Sequence, residues 1–277
     1  MHLNLLKHLL SSNQRTLKQT LRNFLIAKGY KVIEKNGFLY AEGNIPVCLV
    51  AHLDTVFKTE PENIYYDKEQ QVLWSPQGLG ADDRAGVYAI LDIVHSDYKP
   101  TILFCEDEEV GGIGAKKAIS FFKDAPTELK MIIELDRQGQ KDCVFYECDN
   151  EPFVEYIEKF GFQMDYGSFS DISFIAPAWG VAAVNISVGY VNEHTKCELL
   201  HIDWLEDTIA KIKNLLDKID EAPSFAYIPI EWQCAICKNP LNEKNASFIK
   251  FGMNYFDICK TCRKQYYTNY DNGLFDF

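Results

Sequence analysis

The chain has 277 residues, 47% of them hydrophobic and 13% aromatic, with a formal net charge of −12. That length allows one large domain, or one domain with a small appendage, and the apolar content lets it bury a core without staples. The acidic balance argues against a nucleic-acid partner, which needs a basic face. Asn4, Lys7 and His8 interrupt the N-terminal leucines, and no run reaches the roughly 18 apolar residues of a membrane span, so neither a secretory signal nor a membrane helix is expected. Residues 1–29 predict helix, with Leu3, Leu6, Leu10, Leu17, Leu21 and Leu25 at spacings of three and four. Residues 31–41 predict a hairpin turning at Asn36-Gly37, and the apolar run 47–51 a strand leading into His52. A second hairpin is expected over 64–74 and a helix over 83–94. Residues 101–105 predict a strand opening onto Glu106-Asp107-Glu108-Glu109, followed by a helix over 115–122. A buried strand over 129–135 ends at Asp136. A further strand over 143–148, a helix over 152–160, an apolar strand over 181–188 before His194 and an amphipathic helix over 204–219 complete the pattern.

Strands alternating with helices predict an α/β fold: a mostly parallel mixed sheet sandwiched by helices, with ligands bound beyond the carboxyl ends of the strands. Those ends carry His52, Glu108, Glu109, Asp136 and, a little further on, His194, while Asp82 precedes a helix. Taken singly, each has an ordinary structural reading. Asp82-Asp83 could cap the helix, and Glu106–Glu109 could be a solvated acidic turn. Taken together, at element ends, they have the ligand chemistry of two zinc ions. His52, Asp82 and Asp136 are assigned to one metal, and Asp82, Glu109 and His194 to the other, with Asp82 bridging. Asp54, two residues after His52, is placed to hold the imidazole through its second nitrogen. Glu108 is assigned as the base that takes a proton from metal-bound water and hands it to a leaving amine. Four neighbouring carboxylates at 106–109 would also repel one another unless cations sat nearby.

These motifs resemble the co-catalytic di-zinc exopeptidases: zinc aminopeptidases, peptidase T-type tripeptidases, carboxypeptidases and deacetylase relatives, with a phosphorylase/hydrolase-like fold. His52-Leu53-Asp54-Thr55 resembles their first ligand motif. Gly80-Ala81-Asp82-Asp83-Arg84-Ala85-Gly86 resembles the peptidase T form of the bridging motif, with Arg84 where lysine is usual. Asp107-Glu108-Glu109-Val110-Gly111 resembles the base-then-ligand pair, and Asp136 and His194 fall where the last two ligands belong. The resemblance covers roughly residues 20 to 219. Only 57 residues separate Asp136 from His194, too few for the inserted lid domain of the tripeptidase branch, so a single catalytic domain is implied. Ser170-Asp171-Ile172-Ser173-Phe174 is similar to a Ser-Asp step of the single-domain aminopeptidases. Glu193 stands where those enzymes have an oxyanion-donating tyrosine, which leaves Tyr190 as the candidate donor. Asp171, Glu193 or Glu134 could receive a substrate amine, and Arg137 a carboxylate.

Composition shifts after residue 222. Residues 229–277 carry a net charge of +1 and residues 1–228 a net charge of −13. Within 229–277, Cys234-Ala235-Ile236-Cys237 and Cys259-Lys260-Thr261-Cys262 are separated by 21 residues, the spacing of a closed four-thiolate zinc site in a small ribbon or knuckle. A segment this short has little core, so the metal would supply its folding energy. Phe248, Phe251, Tyr255, Phe256, Tyr266, Tyr267 and Tyr270 would pack round the knuckles or form a face for protein contact or oligomerisation. The other five cysteines lie in or beside apolar stretches, which fits a reducing cytoplasm.

The expectation is therefore a catalytic domain over 1–222 and a zinc domain over 229–277. The protein would be a cytoplasmic di-zinc aminopeptidase acting on short peptides, with zinc, or cobalt or manganese in its place, and one structural zinc. The alternatives are an amidohydrolase of small N-acyl amino acids and a catalytically silent, zinc-stabilised adaptor.

Overall fold

Two amphipathic helices, α1 (Leu3–Leu10) and α2 (Gln14–Ala27), open the chain. They are separate because Asn13 caps α2, its side chain accepting the Thr16 N–H at 2.9 Å. The leucine spacing alone runs straight through this break. A computed structural model of the chain describes residues 2–231, 233–242, 244–251 and 254–271. It divides into two compact units, Met1–Ile228 and Pro229–Phe277. The first unit continues past residue 222 because the chain stays tied to the body. The Phe225 N–H donates to the Lys130 carbonyl, the Tyr227 N–H donates to the Gly180 carbonyl, and the Phe225 ring is buried.

In the first unit the strands are β1 (Lys31–Lys35), β2 (Phe38–Glu42), β3 (Ile45–His52), β4 (Tyr65–Asp67), β5 (Val72–Trp74), β6 (Pro100–Cys105), β7 (Met131–Arg137), β8 (Asp142–Val144), β9 (Gln163–Met164), β10 (Ala183–Ser187), β11 (Tyr190–Val191) and β12 (Leu199–His201). The helices that follow α2 are α3 (Ala81–His95), α4 (Ile113–Phe122), α5 (Glu151–Glu158), α6 (Ile172–Trp179) and α7 (Ile202–Asp217). Eight strands form one mixed sheet in the order β1-β2-β6-β3-β7-β10-β8-β9, with β6, β3, β7 and β10 parallel. A small sheet, β11-β12-β5-β4, stands beside it. The strand expected over 143–148 is shorter: it ends at Val144, and Tyr146 turns the chain at φ +49°. Helix α6 is apolar nearly throughout, so no helical period betrays it in the sequence.

Period-2 alternation splits the core between the two faces of the sheet. Leu49 and Ile133 join α1, α2, α3 and α7 on one side, while Val50 and Ile132 join α4 and α6 on the other. Among the described residues no helix is long and apolar enough to cross a membrane.

The second unit contains β13 (Ala246–Phe251), β14 (Asn254–Cys259) and α8 (Lys260–Asp271). The two strands form an antiparallel hairpin around a small core that includes Ile249 and Ile258.

Helix α3 must lie close to β7, because α3 begins with Asp82 and β7 carries Asp136. Gly86 makes that approach: a Cβ there would sit 1.8 Å from the Leu135 carbonyl oxygen, a backbone atom with no freedom to yield. Gly86→Ala is expected to destabilise the first unit by at least about 1–3 kcal/mol through overpacking, measured by denaturant unfolding. Unchanged stability would contradict this packing.

Candidate metal centre

In the sheet, β3 lies between β6 and β7, so three strand ends meet. His52 ends β3, in register with Cys105 at the end of β6. Glu106–Glu109 follow β6, and Asp136 is near the end of β7. Asp82 enters from the first turn of α3, just before the cis peptide that joins it to Asp83. His194 enters from the loop between β11 and β12.

His52 Nε2 lies 3.0 Å from Asp82 Oδ1 and 3.4 Å from Asp136 Oδ1. His194 Nε2 lies 3.1 Å from Asp82 Oδ2 and 3.0 Å from Glu109 Oε2. Within each triplet the ligand atoms are all within 4.8 Å of one another. Asp82 thus turns one oxygen to each histidine, the arrangement of a bridging carboxylate. The His52 side chain is 1% exposed and that of His194 is 51% exposed, so the second triplet is the one that faces solvent.

The electrostatics suit the binding of positive charge. Burial, with the neighbouring carboxylates adding to it, lifts Glu108 to about 8 and Asp136 to about 7, against the pull of His52. Against the upward push of burial, His194 and His52 hold Asp82 below the usual carboxylate range. The hydrogen bond to Asp82 raises His194 to about 9. Glu109 Oε1 is buried without a hydrogen-bond partner. Two nitrogen-and-oxygen triplets, a shared carboxylate and an orphaned buried oxygen fit a pair of divalent ions of the zinc type.

A ring of polar groups holds these segments. Asp54 Oδ1 lies 3.3 Å from His52 Nδ1, close but without a well-aligned hydrogen bond. Its two oxygens accept the backbone N–H groups of Glu108 (3.0 Å) and Glu109 (3.1 Å). Asp83 accepts the His52 N–H at 3.2 Å and the Gly86 N–H at 2.9 Å. The Asn185 amide clips the backbone of Asp136, accepting its N–H at 2.9 Å and donating to its carbonyl at 3.0 Å. The Tyr190 hydroxyl is buried and lies 3.2 Å from Asp136 Oδ1. Glu198 accepts the backbone N–H groups of Gly80 and Asp82. Arg137 is engaged with Asp165 Oδ2 at 2.7 Å and the Tyr166 carbonyl at 3.2 Å. Asp171 and Glu134 are fully buried, with Glu134 accepting the Ser170 hydroxyl.

In the second unit Cys234, Cys237, Cys259 and Cys262 bring their sulfurs within 4.8 Å of one another. Cys259 ends β14 and Cys262 lies in the first turn of α8. The Cys259 N–H donates to Cys234 Sγ at 3.2 Å, and the Cys262 N–H to Cys259 Sγ at 3.4 Å. Phe248, Tyr255 and Phe256 are exposed. The side chains of Phe251, Tyr266, Tyr267 and Tyr270 lie outside the described residues.

The sequence matches no family model and no curated protein. Solved structures do match. They include a tripeptidase from Staphylococcus aureus (TM-score 0.67, 17% identity, covering 79% of this chain and 98% of that one). An aminopeptidase PepT from Bacillus cereus matches with TM-score 0.64 and 14% identity over 79% of this chain and 98% of that one. An aminopeptidase from the archaeon Desulfurococcus kamchatkensis matches with TM-score 0.57 and 16% identity over 80% and 95%. The chain has the fold of the zinc aminopeptidases and tripeptidases. That is the fold its motifs resemble.

Asn185 and Glu198 carry no direct signal of their roles in the sequence, and Asp83, readable there as a helix cap, also braces His52. Their partners are distant in sequence, and no local motif announces them. Glu198 lies four residues after His194, a proximity that was the one available signal.

Two predictions follow from these contacts. In Asp54→Asn one acceptor becomes an NH2 facing a backbone N–H, so metal affinity is expected to fall about 10–100-fold in a chelator competition. Wild-type affinity would deny Asp54 its bracing role. Cys259→Ser should lower the bound metal count of the full chain by one, measured by elemental analysis, and leave the first unit's share unchanged.

Proposed function

We propose that the first unit is a di-zinc metallopeptidase that removes N-terminal residues from short peptides. The observation that carries this reading is the division of Asp82 between two histidine-bearing triplets, with Glu108 directly beside Glu109. Two zinc ions bound there would polarise the scissile carbonyl and lower the pKa of the attacking water. With the metals bound, Glu108 would serve as the general base, accepting a proton from water and donating one to the leaving amine. Its main chain is anchored through Asp54, and its carboxyl senses Asp136, Glu109 and Asp82, which supports its facing the reacting atoms. Tyr190, bound to Asp136, orients a ligand.

Substrate recognition follows from which groups remain reachable. Asp171 and Glu134 are sealed from solvent, whereas Glu193, adjacent to His194, is partly exposed. Glu193 is therefore the acid we assign to the substrate's α-ammonium group. Arg137, the cation a carboxylate-recognising enzyme would use, is already paired with Asp165, which favours amine recognition. In the second unit Cys234, Cys237, Cys259 and Cys262 would hold one structural zinc, a four-thiolate set that suits folding and not catalysis. Its exposed aromatics serve protein contact.

Glu108→Gln is expected to lower turnover of aminoacyl substrates by about 10²–10⁴-fold with the zinc content unchanged. Full activity in that variant would overturn the mechanism. Preference for N-acyl over aminoacyl substrates across a panel would instead favour a deacylase, and fewer than two zinc ions in the first unit would favour an adaptor.

A further inference from the structure

The two triplets are held in place by different means. His52 and Asp136 sit on adjacent strands of the sheet, and the β3–β7 ladder sets their separation. No such ladder joins Asp82 to His194. Asp82 lies in the opening turn of α3, where Asp82 and Asp83 depart from helical backbone; the regular helix follows, capped by the Asp83 carboxylate, which accepts the Gly86 N–H at 2.9 Å. The Gly80 and Asp82 amides lie ahead of that cap, outside the regular helix, and need acceptors of their own. His194 lies on an irregular loop and is half-exposed.

Glu198 joins these two segments. It is 1% exposed, and both its oxygens are used: Oε2 accepts the Gly80 N–H at 2.6 Å and Oε1 the Asp82 N–H at 3.0 Å, across 118 and 116 residues of sequence. Its own loop is tight. The Glu198 N–H donates to the Thr195 carbonyl at 3.2 Å, the Cys197 N–H to Thr195 Oγ1 at 3.1 Å, and the Thr195 hydroxyl to the Asn192 carbonyl at 2.8 Å. Leu199 then enters β12, which pairs with β5. His194 and Glu198 thus move as one piece, and Glu198 fastens that piece to the backbone of the bridging aspartate.

We infer that Glu198 is a positioning residue that locks the His194 loop to the Asp82 turn and thereby sets metal affinity at the Asp82–Glu109–His194 triplet. The inference rests on the two-metal reading above. The chemistry of the tie requires a carboxylate. Two backbone donors need two acceptors, and a glutamine would turn an NH2 group towards one of them. The His52–Asp82–Asp136 triplet keeps its strand ladder and is less dependent on the tie.

The test uses the full chain, stripped of metal and titrated with Co2+, whose visible absorption reports each site as it fills, and with Zn2+ by calorimetry. In Glu198→Gln the weaker of the two first-unit sites should lose about 10–100-fold in affinity, while the tighter site stays within about threefold of wild type. The melting temperature of the metal-free protein should be nearly unchanged. Glu198→Asp keeps both acceptors and should recover part of the loss. If Glu198→Gln does not fold, Glu198→Asp and Thr195→Ala carry the same comparison, each with a smaller selective loss at the weaker site. Equal weakening of both sites, or wild-type affinity at both, would overturn the inference. Failure of the wild-type first unit to bind two ions would bring down the two-metal reading as well, so the two failures are distinct.

Discussion

Asp82, Asp136, Glu108 and Glu109 crowd into a space largely closed to water, where like charges cannot all ionise without cations to meet them. Much of the architecture answers that constraint. The strand ends bring the carboxylates together, and the helices on both faces keep water out. Burial lifts Glu108 and Asp136 well above the ordinary carboxylate range. A divalent ion in each triplet would reverse that effect, since the same low dielectric that penalises an unpaired carboxylate strengthens its attraction to a metal. The crowding raises the free energy of the metal-free protein and so adds to metal affinity.

A second set of carboxylates does different work. Asp54, Asp83 and Glu198 point their oxygens at backbone N–H groups of the segments that carry the ligands. These amides lie at strand ends and at a helix start, where no ladder or helical bond would otherwise satisfy them. Each acid meets two needs at once: an orphan donor gains an acceptor, and a ligand-bearing segment gains a fixed position. The division of labour explains why so acidic a site is stable. Some carboxylates form the candidate metal triplets, and the others are already partnered by the main chain.

The side chains that cluster at the candidate metal centre were legible in the sequence because each stands where a pattern stops: His52 after an apolar run, Glu109 after another, Asp136 at the end of a third, Asp82 before a helix. The α/β sandwich was legible from the same alternation. The braces were not. Glu198 meets Gly80 and Asp82 across more than a hundred residues, and Asn185 meets Asp136 from the neighbouring strand. Such pairings depend on strand order, which no local period encodes. Helix α6 was hidden for the opposite reason: a segment apolar on nearly every side carries no amphipathic stripe. The break between α1 and α2 was marked by Asn13, but a cap is weak evidence beside a continuous run of leucines.

Arg84, standing where lysine is usual in the motif, shows how the N-terminal helices enter the site. Its guanidinium is buried and donates to three carbonyls: Leu53 at 2.5 Å, Asp54 at 3.2 Å and Ser12 at 3.1 Å. A lysine's single ammonium could not span these positions with the same planar fork. The result ties the segment after His52 to the turn between α1 and α2. Two residues later Gln14 pairs with Asp107, donating to its carboxylate at 3.1 Å and accepting its N–H at 3.4 Å. Lys18 then reaches Glu106 at 2.5 Å. The α1–α2 corner thus grips both the His52 segment and the acidic loop that carries Glu108 and Glu109. Helices that looked in the sequence like generic cover therefore bear on the spacing between His52 and Glu108.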